Sequence, residues 1–159
     1  MAVTAQKSLQ VGNADLGIKT PAYIAKGQMF CLRSSPPVGD YGIGDANSTI
    51  ALVKVPAGRY TLIGFLSKVC HSAFGTARTM DIGWDAYTKE DGTPVAADED
   101  GIHSAADVSA AGSFVPLDEL GVSQSKVFDS REGVTIRAKV EAGAILTGET
   151  VDAFFVFQE

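Results

Sequence analysis

The stretch VTIRAKVE, which runs from Val134 to Glu141, alternates strictly between apolar and polar side chains. A period of two is that of a β-strand with one face on a core and the other in water. A second stretch, Val151 to Phe157, closes the chain and is apolar on both faces. Such a strand must be covered on both faces, by its own fold or by another chain. Together they predict an all-β domain that packs against a partner.

Further strand patterns precede these two at close spacing. They cover residues 28–33, 49–55, 60–69, 78–87 and 108–115. The Pro56-Ala57-Gly58 segment predicts a hairpin, because proline presets φ and glycine accepts positive φ. Residues 98–107 predict a short helix, which Gly101 weakens. Roughly ten short strands indicate a sandwich or barrel, and we expect a jelly-roll-like antiparallel β-sandwich.

The two ends of the predicted domain differ in composition. Residues 1–17 are small and polar with few anchors, which predicts an extended N-terminal arm that pairs with a neighbour or stays loose. Residues 18–159 are predicted to form one β-sandwich domain. Within it, residues 34–47 carry Pro36-Pro37 and three glycines, which predicts a long loop.

Composition limits the classes of function. A chain of 159 residues forms one domain and buries roughly 70% of its unfolded surface. The formal net charge of -6 argues against nucleic acid as a partner, because phosphate binding needs a basic face. The longest apolar stretch, Tyr60 to Phe65, is too short to span a membrane. Met1 to Gln10 lacks the apolar core of a signal peptide, so we expect synthesis in the cytoplasm.

The residues capable of chemistry are few and scattered. Cys31 and Cys70 either pair or remain free, and we favour free, buried thiols. Neither cysteine forms a zinc-type spacing with His71 or His103. A Cys-His catalytic pair, or a two-histidine metal site on a cupin-like sandwich, would have to be assembled by folding. We predict that the protein is no enzyme, with no catalytic residue, no cofactor and no metal site.

The acidic stretch of residues 85–107 leaves two interpretations open. Calcium takes clustered carboxylates, but Asp98-Glu99-Asp100 lacks the alternate spacing of an EF-hand loop. A solvated acidic loop is the simpler interpretation. Asp91-Gly92 within it predicts a turn.

The candidate interface residues lie at both ends of the chain. Phe154 and Val156 point away from Val151, Ala153, Phe155 and Phe157, so if the latter face the core the former need a second layer or a partner subunit. Val3 and Leu9 in the arm are further interface candidates. Arg131, in the Ser130-Arg131-Glu132-Gly133 segment, either sits at an interface or simply belongs to a hairpin end or strand entry.

Four segments resemble a family of small virion proteins of tailed bacteriophages, found beside the major capsid protein. The segments are IALVKVPAGRYTLIGFL (50–66), ARTMDIGWDAYTKEDGTPVAA (77–97), DVSAAGSF (107–114) and FDSREGVTIRAKV (128–140). The resemblance covers roughly residues 48–157 and rests on strands and turns, with no catalytic motif. It implies a capsid-associated β-sandwich of the decoration or cement type.

The resemblance implies partners as well. A cement protein would bind the major capsid protein on the virion surface, and a homotrimer would match the local three-fold axes of a capsid. The alternative is a carbohydrate- or receptor-binding module of a head fibre or tail, in which Trp84, Tyr87 and Tyr41 stack on sugars. Exposure of Trp84 discriminates between the two.

Overall fold

A computed structural model describes residues 5–7 (backbone only), 29–34 and 44–159. The strands in chain order are β1 (Ala5–Lys7), β2 (Met29–Arg33), β3 (Thr49–Val55), β4 (Gly58–His71), β5 (Thr79–Trp84), β6 (Tyr87–Thr88), β7 (Pro94–Val95), β8 (Asp98–Asp107), β9 (Gly112–Phe114), β10 (Ser125–Ser130), β11 (Val134–Glu141) and β12 (Val151–Gln158). A 3-10 turn spans Gly121–Ser123. The all-β class predicted from the alternating stretches is therefore confirmed.

The strands form two main sheets. The first sheet has the order β1-β3-β11-β5-β8, and the second has the order β10-β4-β12-β2 with β9 also on β4. Leaving out β1, β6, β7 and β9, eight strands remain. We number these eight strands one to eight along the chain. Across the first sheet their order is then two, seven, four, five, and across the second sheet it is one, eight, three, six. All their pairings are antiparallel. This is jelly-roll connectivity, as expected.

The predicted hairpin at Pro56-Ala57-Gly58 is wrong, although both of its strands exist. β3 pairs with β11 in the first sheet, whereas β4 pairs with β10 and β12 in the second. The turn therefore carries the chain from one sheet to the other. β3 is buried on both faces at Ala51, Leu52 and Val53. The turn residues look the same for a hairpin and for a crossing, so local sequence did not distinguish them.

The core lies between the sheets and is built by alternation. On β11, Val134, Ile136, Ala138 and Val140 are buried while the residues between them are partly exposed. On β12 the buried set is Val151, Ala153, Phe155 and Phe157, as predicted. Stacked sheets lie about 10 Å apart, so one layer of such side chains from each sheet fills the space.

The helix predicted for residues 98–107 is wrong, because this segment is strand β8 and pairs with β5. Ile102 and Ala106 are buried along it. Gly101, which weakened the helix prediction, has a packing role: a Cβ built there would lie 2.3 Å from Cη2 of Trp84. Residues 108–115, predicted as one strand, contain only the short β9.

The turn predicted at Asp91-Gly92 is confirmed. It closes the β6–β7 hairpin, where the Thr93 amide donates to Oδ1 of Asp91 and Gly92 has a φ of 88°. These contacts place the middle of the acidic stretch in a hairpin rather than in an irregular loop.

The part of the N-terminal arm that is described forms an edge strand. Ala5–Lys7 pairs in parallel with residues 49–51 of β3, so these three residues lie at the edge of the first sheet. Val3 and Leu9 lie outside the described residues, as does Tyr41. The division into an arm of residues 1–17 and a domain of residues 18–159 stays a prediction.

Candidate functional site: the outer face of the second sheet

The outward face of the first sheet is charged and internally paired. On β11, Arg137 donates to Asp85 and to Oγ1 of Thr49, the latter at 3.0 Å. Lys139 Nζ lies 2.6 Å from Glu99 Oε2 and 3.2 Å from Glu141 Oε1. Charges held in this way remain partly hydrated, so this face is suited to water.

The outward face of the second sheet carries apolar side chains at its centre among polar ones, and we call it the apolar face. The strand register places its residues in four rows across the sheet: Met29, Gln158, Thr61 and Val127; Cys31, Val156, Ile63 and Ser125; Arg33, Phe154 and Lys68; and Asp152, Cys70 and Ser113. Met29 and Val127 are 61% and 43% exposed. Phe154, Val156 and Ile63 are half-buried. Cys31, Val156 and Ile63 are neighbours in one row and Phe154 lies in the next, and an apolar patch on a sheet face marks an interaction surface.

A bulge in β4 enlarges this patch. The inward residues of β4 are Tyr60, Leu62 and Gly64 before the bulge, and Ser67, Val69 and His71 after it. The parity changes because the pairing with β12 shifts: Val156 lies opposite Ile63, but Phe154 lies opposite Lys68. Phe65 and Leu66 lie within this bulge, and both side chains point outward, with exposed fractions of 57% and 39%. Bulges commonly redirect side chains at functional edges.

The segment between β9 and β10 packs tightly behind the bulge. The amide of Gly64 donates to the carbonyl of Gln124 at 2.9 Å. A Cβ built on Gly64 would lie 2.5 Å from Cδ1 of Leu120, so only glycine fits there. Val115 and Val122 in this segment are also exposed.

An ion pair orients part of the apolar face. Nη2 of Arg33 lies 2.6 Å from Oδ2 of Asp152, linking β2 to β12 beside Phe154. Both side chains are well exposed, so the ion pair contributes little to the folding stability of the protein. Its charges can instead fix the orientation of a partner on this face.

The structure brings together only some of the interface candidates. Phe154 and Val156 lie on the apolar face, two residues apart on β12. Arg131 is exposed in the turn between β10 and β11, where its amide donates to Thr88, away from this face. Phe65 and Leu66 were missed as site residues. The signal for them was two consecutive apolar residues at a point where strict alternation would have buried one.

The two cysteines are free thiols. Cys31 on β2 lies opposite Val156 of β12, and Cys70 on β4 lies opposite Asp152 of β12. They are thus on strands to either side of β12 and four residues apart along it, well beyond the reach of a disulfide. The expectation that both are buried is wrong for Cys31, which is exposed, while Cys70 is partly buried.

A second site lies where β9 meets the edge of the core, and we call it the histidine cleft. It has a volume of about 380 Å³ and is lined by His71, His103, Ala106, Asp107, Phe114 and residues 109–113. Phe114 stacks on His103, with ring centroids 4.7 Å apart, and tilts against His71 at 6.0 Å. The cleft thus brings together the chain's two histidines, one from each sheet.

The geometry of metal binding is not met in the part of the chain that the structure describes. No group of three or more His, Cys, Asp or Glu side chains there could hold a metal ion. Within the acidic stretch, the pKa of Asp98 is raised mainly by burial and, to a smaller extent, by the neighbouring Asp100 carboxyl.

The aromatic platform of the sugar-binding alternative is buried. Trp84 is only 4% exposed; its Nε1 donates to the carbonyl of Ala96, and Lys126 Nζ lies 4.2 Å from its ring centroid. Tyr87 is half-buried and packs on Phe128. Trp84 therefore offers no stacking surface for a sugar.

Within residues 5–7, 29–34 and 44–159, no helix has the length and apolar character needed to cross a membrane.

Comparisons with known proteins gave a distant structural likeness. No protein-family model matches the sequence, and no curated protein matches it. The fold is weakly similar to a solved chain described as "Cyanophage Pam1 capsid asymmetric unit", with a TM-score of 0.45 and 12% sequence identity. That match covers 88% of this chain and 91% of the other.

Proposed function

We propose that this protein is a structural component of a phage capsid, which binds the assembled shell and stabilises it as a decoration or cement protein. The observation that carries the proposal is the contrast between the two outward faces. One is covered by paired charges, and the other presents Ile63, Phe154 and Val156 beside the expelled Phe65 and Leu66.

An apolar sheet face is suited to burial against a partner. Covering it removes apolar area from water at about 25 cal/mol per Å², and a standard interface buries about 800 Å² on each partner. Arg33 and Asp152 would supply the polar rim that such interfaces have. The charged first sheet would then face solvent.

The physics of a cement protein agrees with these features. A protein that binds the assembled shell and not the free subunits stabilises the shell by mass action. Many copies act together, so each contact can be weak. The net charge of -6 keeps the unbound protein soluble. The sequence resemblance to small phage virion proteins supports the same role, which makes or breaks no covalent bond.

The proposed partner is the major capsid protein, and the proposed location is the virion surface. A homotrimer is the proposed assembly state, because it matches a local three-fold axis. The carbohydrate-binding alternative is less favoured, since Trp84 is buried.

Co-sedimentation with purified shells that lack this protein tests the proposal. We expect the wild-type chain to saturate the shells at a copy number comparable with that of the capsid protein. Val156→Glu should weaken binding at least tenfold, because its cross-strand neighbours are Cys31 and Ile63 and a buried unpaired carboxylate costs several kcal/mol. Thr135→Glu, on the charged face of the first sheet, is the matched control and should bind normally.

Two further readouts complete the test. Circular dichroism and thermal melting must show that both variants fold, and sedimentation equilibrium reports whether the free protein is a trimer. Binding that is equal for both variants, or saturation at a few copies per particle, would contradict the proposal.

A further inference from the structure

The histidine cleft lies outside the apolar face, and its hydrogen bonds assign the tautomers of its two neutral imidazoles. Nδ1 of His71 lies 2.9 Å from the carbonyl oxygen of Ser72. A carbonyl only accepts, so Nδ1 carries a proton, and in the neutral ring the lone pair is on Nε2. A Cβ built on Gly112 would lie 3.5 Å from that Nε2, which therefore faces the cleft.

His103 has the other tautomer. Its Nδ1 accepts the amide of Asp118 at 3.4 Å, so the neutral ring carries its proton on Nε2. Burial lowers the pKa of His103, against the carboxylates of Asp118, Asp81 and Glu119, which raise it less. The ring is consequently neutral at pH 7.

The remaining charge in the cleft is negative. Hydrogen bonds from Ser109 hold the pKa of Asp107 below its usual range, so this carboxylate is ionised at neutral pH. None of the ten residues that line this cleft in the described part of the chain is Lys or Arg. The Arg78 side chain is turned towards Glu149 and Ala144. The cleft therefore offers a carboxylate and an imidazole lone pair to a hydrogen-bond donor.

We propose that the histidine cleft binds the cationic end of a lysine or arginine side chain presented by a partner protein. Each of these groups carries several N–H donors and a positive charge, which match the lone pair of His71 and the carboxylate of Asp107. The volume of about 380 Å³ falls within the range of small-ligand sites.

The position of the cleft favours a side chain of a protein over a free amine. Ser113, on its rim, belongs to the same row of the second sheet as Cys70 and Asp152, so the cleft adjoins the apolar face. Ala110, Ala111 and Gly112 leave room for another chain to approach. A protein seated on the apolar face could extend a basic residue into the cleft.

The cleft should lose its cation as the pH falls. Protonation of His103 at Nδ1 would remove the acceptor of the Asp118 amide and place a positive charge in the cleft. The carboxylates that face this ring are Asp118 and Glu119 from the loop and Asp81 from β5, with Asp107 across the cleft. Binding is therefore expected at pH 7.5 and is expected to weaken below the ordinary histidine pKa of about 6.5.

A titration followed by NMR tests this inference without any capsid. The probes are N-acetyl-arginine amide and, as the uncharged control, N-acetyl-glutamine amide, added to the ¹⁵N-labelled full chain at constant ionic strength. The arginine probe should give saturable shifts at the amides of residues 107–114, with a dissociation constant of roughly 10–100 mM at pH 7.5. The glutamine probe should not.

Three variants make the result specific. Asp107→Asn keeps an oxygen for the Ser109 amide but removes the charge, and should weaken binding at least fivefold. Asp107→Glu should restore it, and Glu90→Gln, which removes a carboxylate from the exposed β6–β7 turn, should change nothing.

The inference is overturned if both probes shift the same amides equally, if Asp107→Asn binds like the wild type, or if binding is unchanged once the pH has passed the midpoint of the His103 titration, followed by its imidazole C–H resonance. Because shell binding plays no part in this test, its failure and the failure of the capsid proposal are separate results.

Discussion

The hydroxyl of Ser67 accepts the backbone amide of Val156 at 3.0 Å and donates to the carbonyl of Ile63 at 2.8 Å. The Ser67 side chain thus supplies hydrogen bonds that the backbone of the two strands does not form where the register between β4 and β12 shifts. Ser67 is 1% exposed. Because the bulge is held in this way, Phe65 and Leu66 are turned outward, and the apolar face acquires its most exposed aromatic ring.

Ser67→Ala should destabilise the protein by about 1–3 kcal/mol, because it leaves a buried amide and a carbonyl without their partner. The melting temperature is expected to fall by roughly 2–4 °C per kcal/mol for a chain of this size. Ser113→Ala, at an exposed position of the short strand β9, is the control and should stay within about 0.5 kcal/mol. An unchanged melting temperature for Ser67→Ala would show that the bulge does not depend on this hydroxyl.

Glu149→Ala should be strongly destabilising. Glu149 accepts Nη1 of Arg78 at 3.0 Å and the amide of Leu146 at 2.6 Å, and both ionic side chains are largely buried. Removal of one member of a buried ion pair costs about 3–5 kcal/mol of folding free energy. Urea denaturation of the Glu149→Ala variant would measure this loss. The double variant Arg78→Met/Glu149→Met should recover part of this loss. If the loss of stability in the double variant equalled the sum of the losses in Arg78→Met and Glu149→Met, Arg78 and Glu149 would not be energetically coupled.

Gly101→Ala should disturb the single tryptophan. The new Cβ would lie 2.3 Å from Cη2 of Trp84, so the ring or strand β8 has to move. We expect a red-shifted fluorescence emission and a loss of stability of about 1–3 kcal/mol. Gly112→Ala, where the nearest atom would be 3.5 Å away, is the control. Identical emission spectra for Gly101→Ala and the wild type would contradict this packing.

Stability should decrease as the pH falls through the range in which histidines titrate. Burial lowers the pKa of His103 in the folded protein, so below about pH 6.5 the unfolded chain binds more protons than the folded one. That difference favours unfolding as the pH falls. His103→Asn keeps an acceptor for the Asp118 amide and should show a flatter dependence of melting temperature on pH between 7.5 and 5.5.

NMR of the imidazole C–H protons provides an independent check of the His103 prediction. The resonance lost in the His103→Asn variant should titrate with a pKa below about 6.5. A pKa at or above that value would mean that the ring is hydrated and that the Asp118 contact does not form.

The sequence predicted the strands more accurately than their partners. Val134–Glu141 and Val151–Gln158 are strands with the expected inward residues, because alternation is a property of the local backbone. The hairpin at Pro56-Ala57-Gly58 failed because a turn does not encode which sheet the next strand joins. The helix at residues 98–107 failed because pairing with β5 overrode weak local preferences.

The candidate sites divide in the same way. Phe154 and Val156 could be found from sequence, since an apolar outward face on a core strand is visible in the alternation itself. The histidine cleft could not. His71 and His103 are 32 residues apart in sequence and come from opposite sheets, and only the pairing of β9 with β4 puts Phe114 between them.

By itself the sequence determined the all-β class, where most of the strands run and which side of the last two strands meets the core. Those properties follow from the two-residue period of an extended backbone. Tertiary structure alone decided which strands pair within the jelly roll, the bulge at Ser67 and the meeting of two histidines across the sandwich. Each of these depends on hydrogen bonds and contacts between residues distant in the chain, whose energies no local pattern contains.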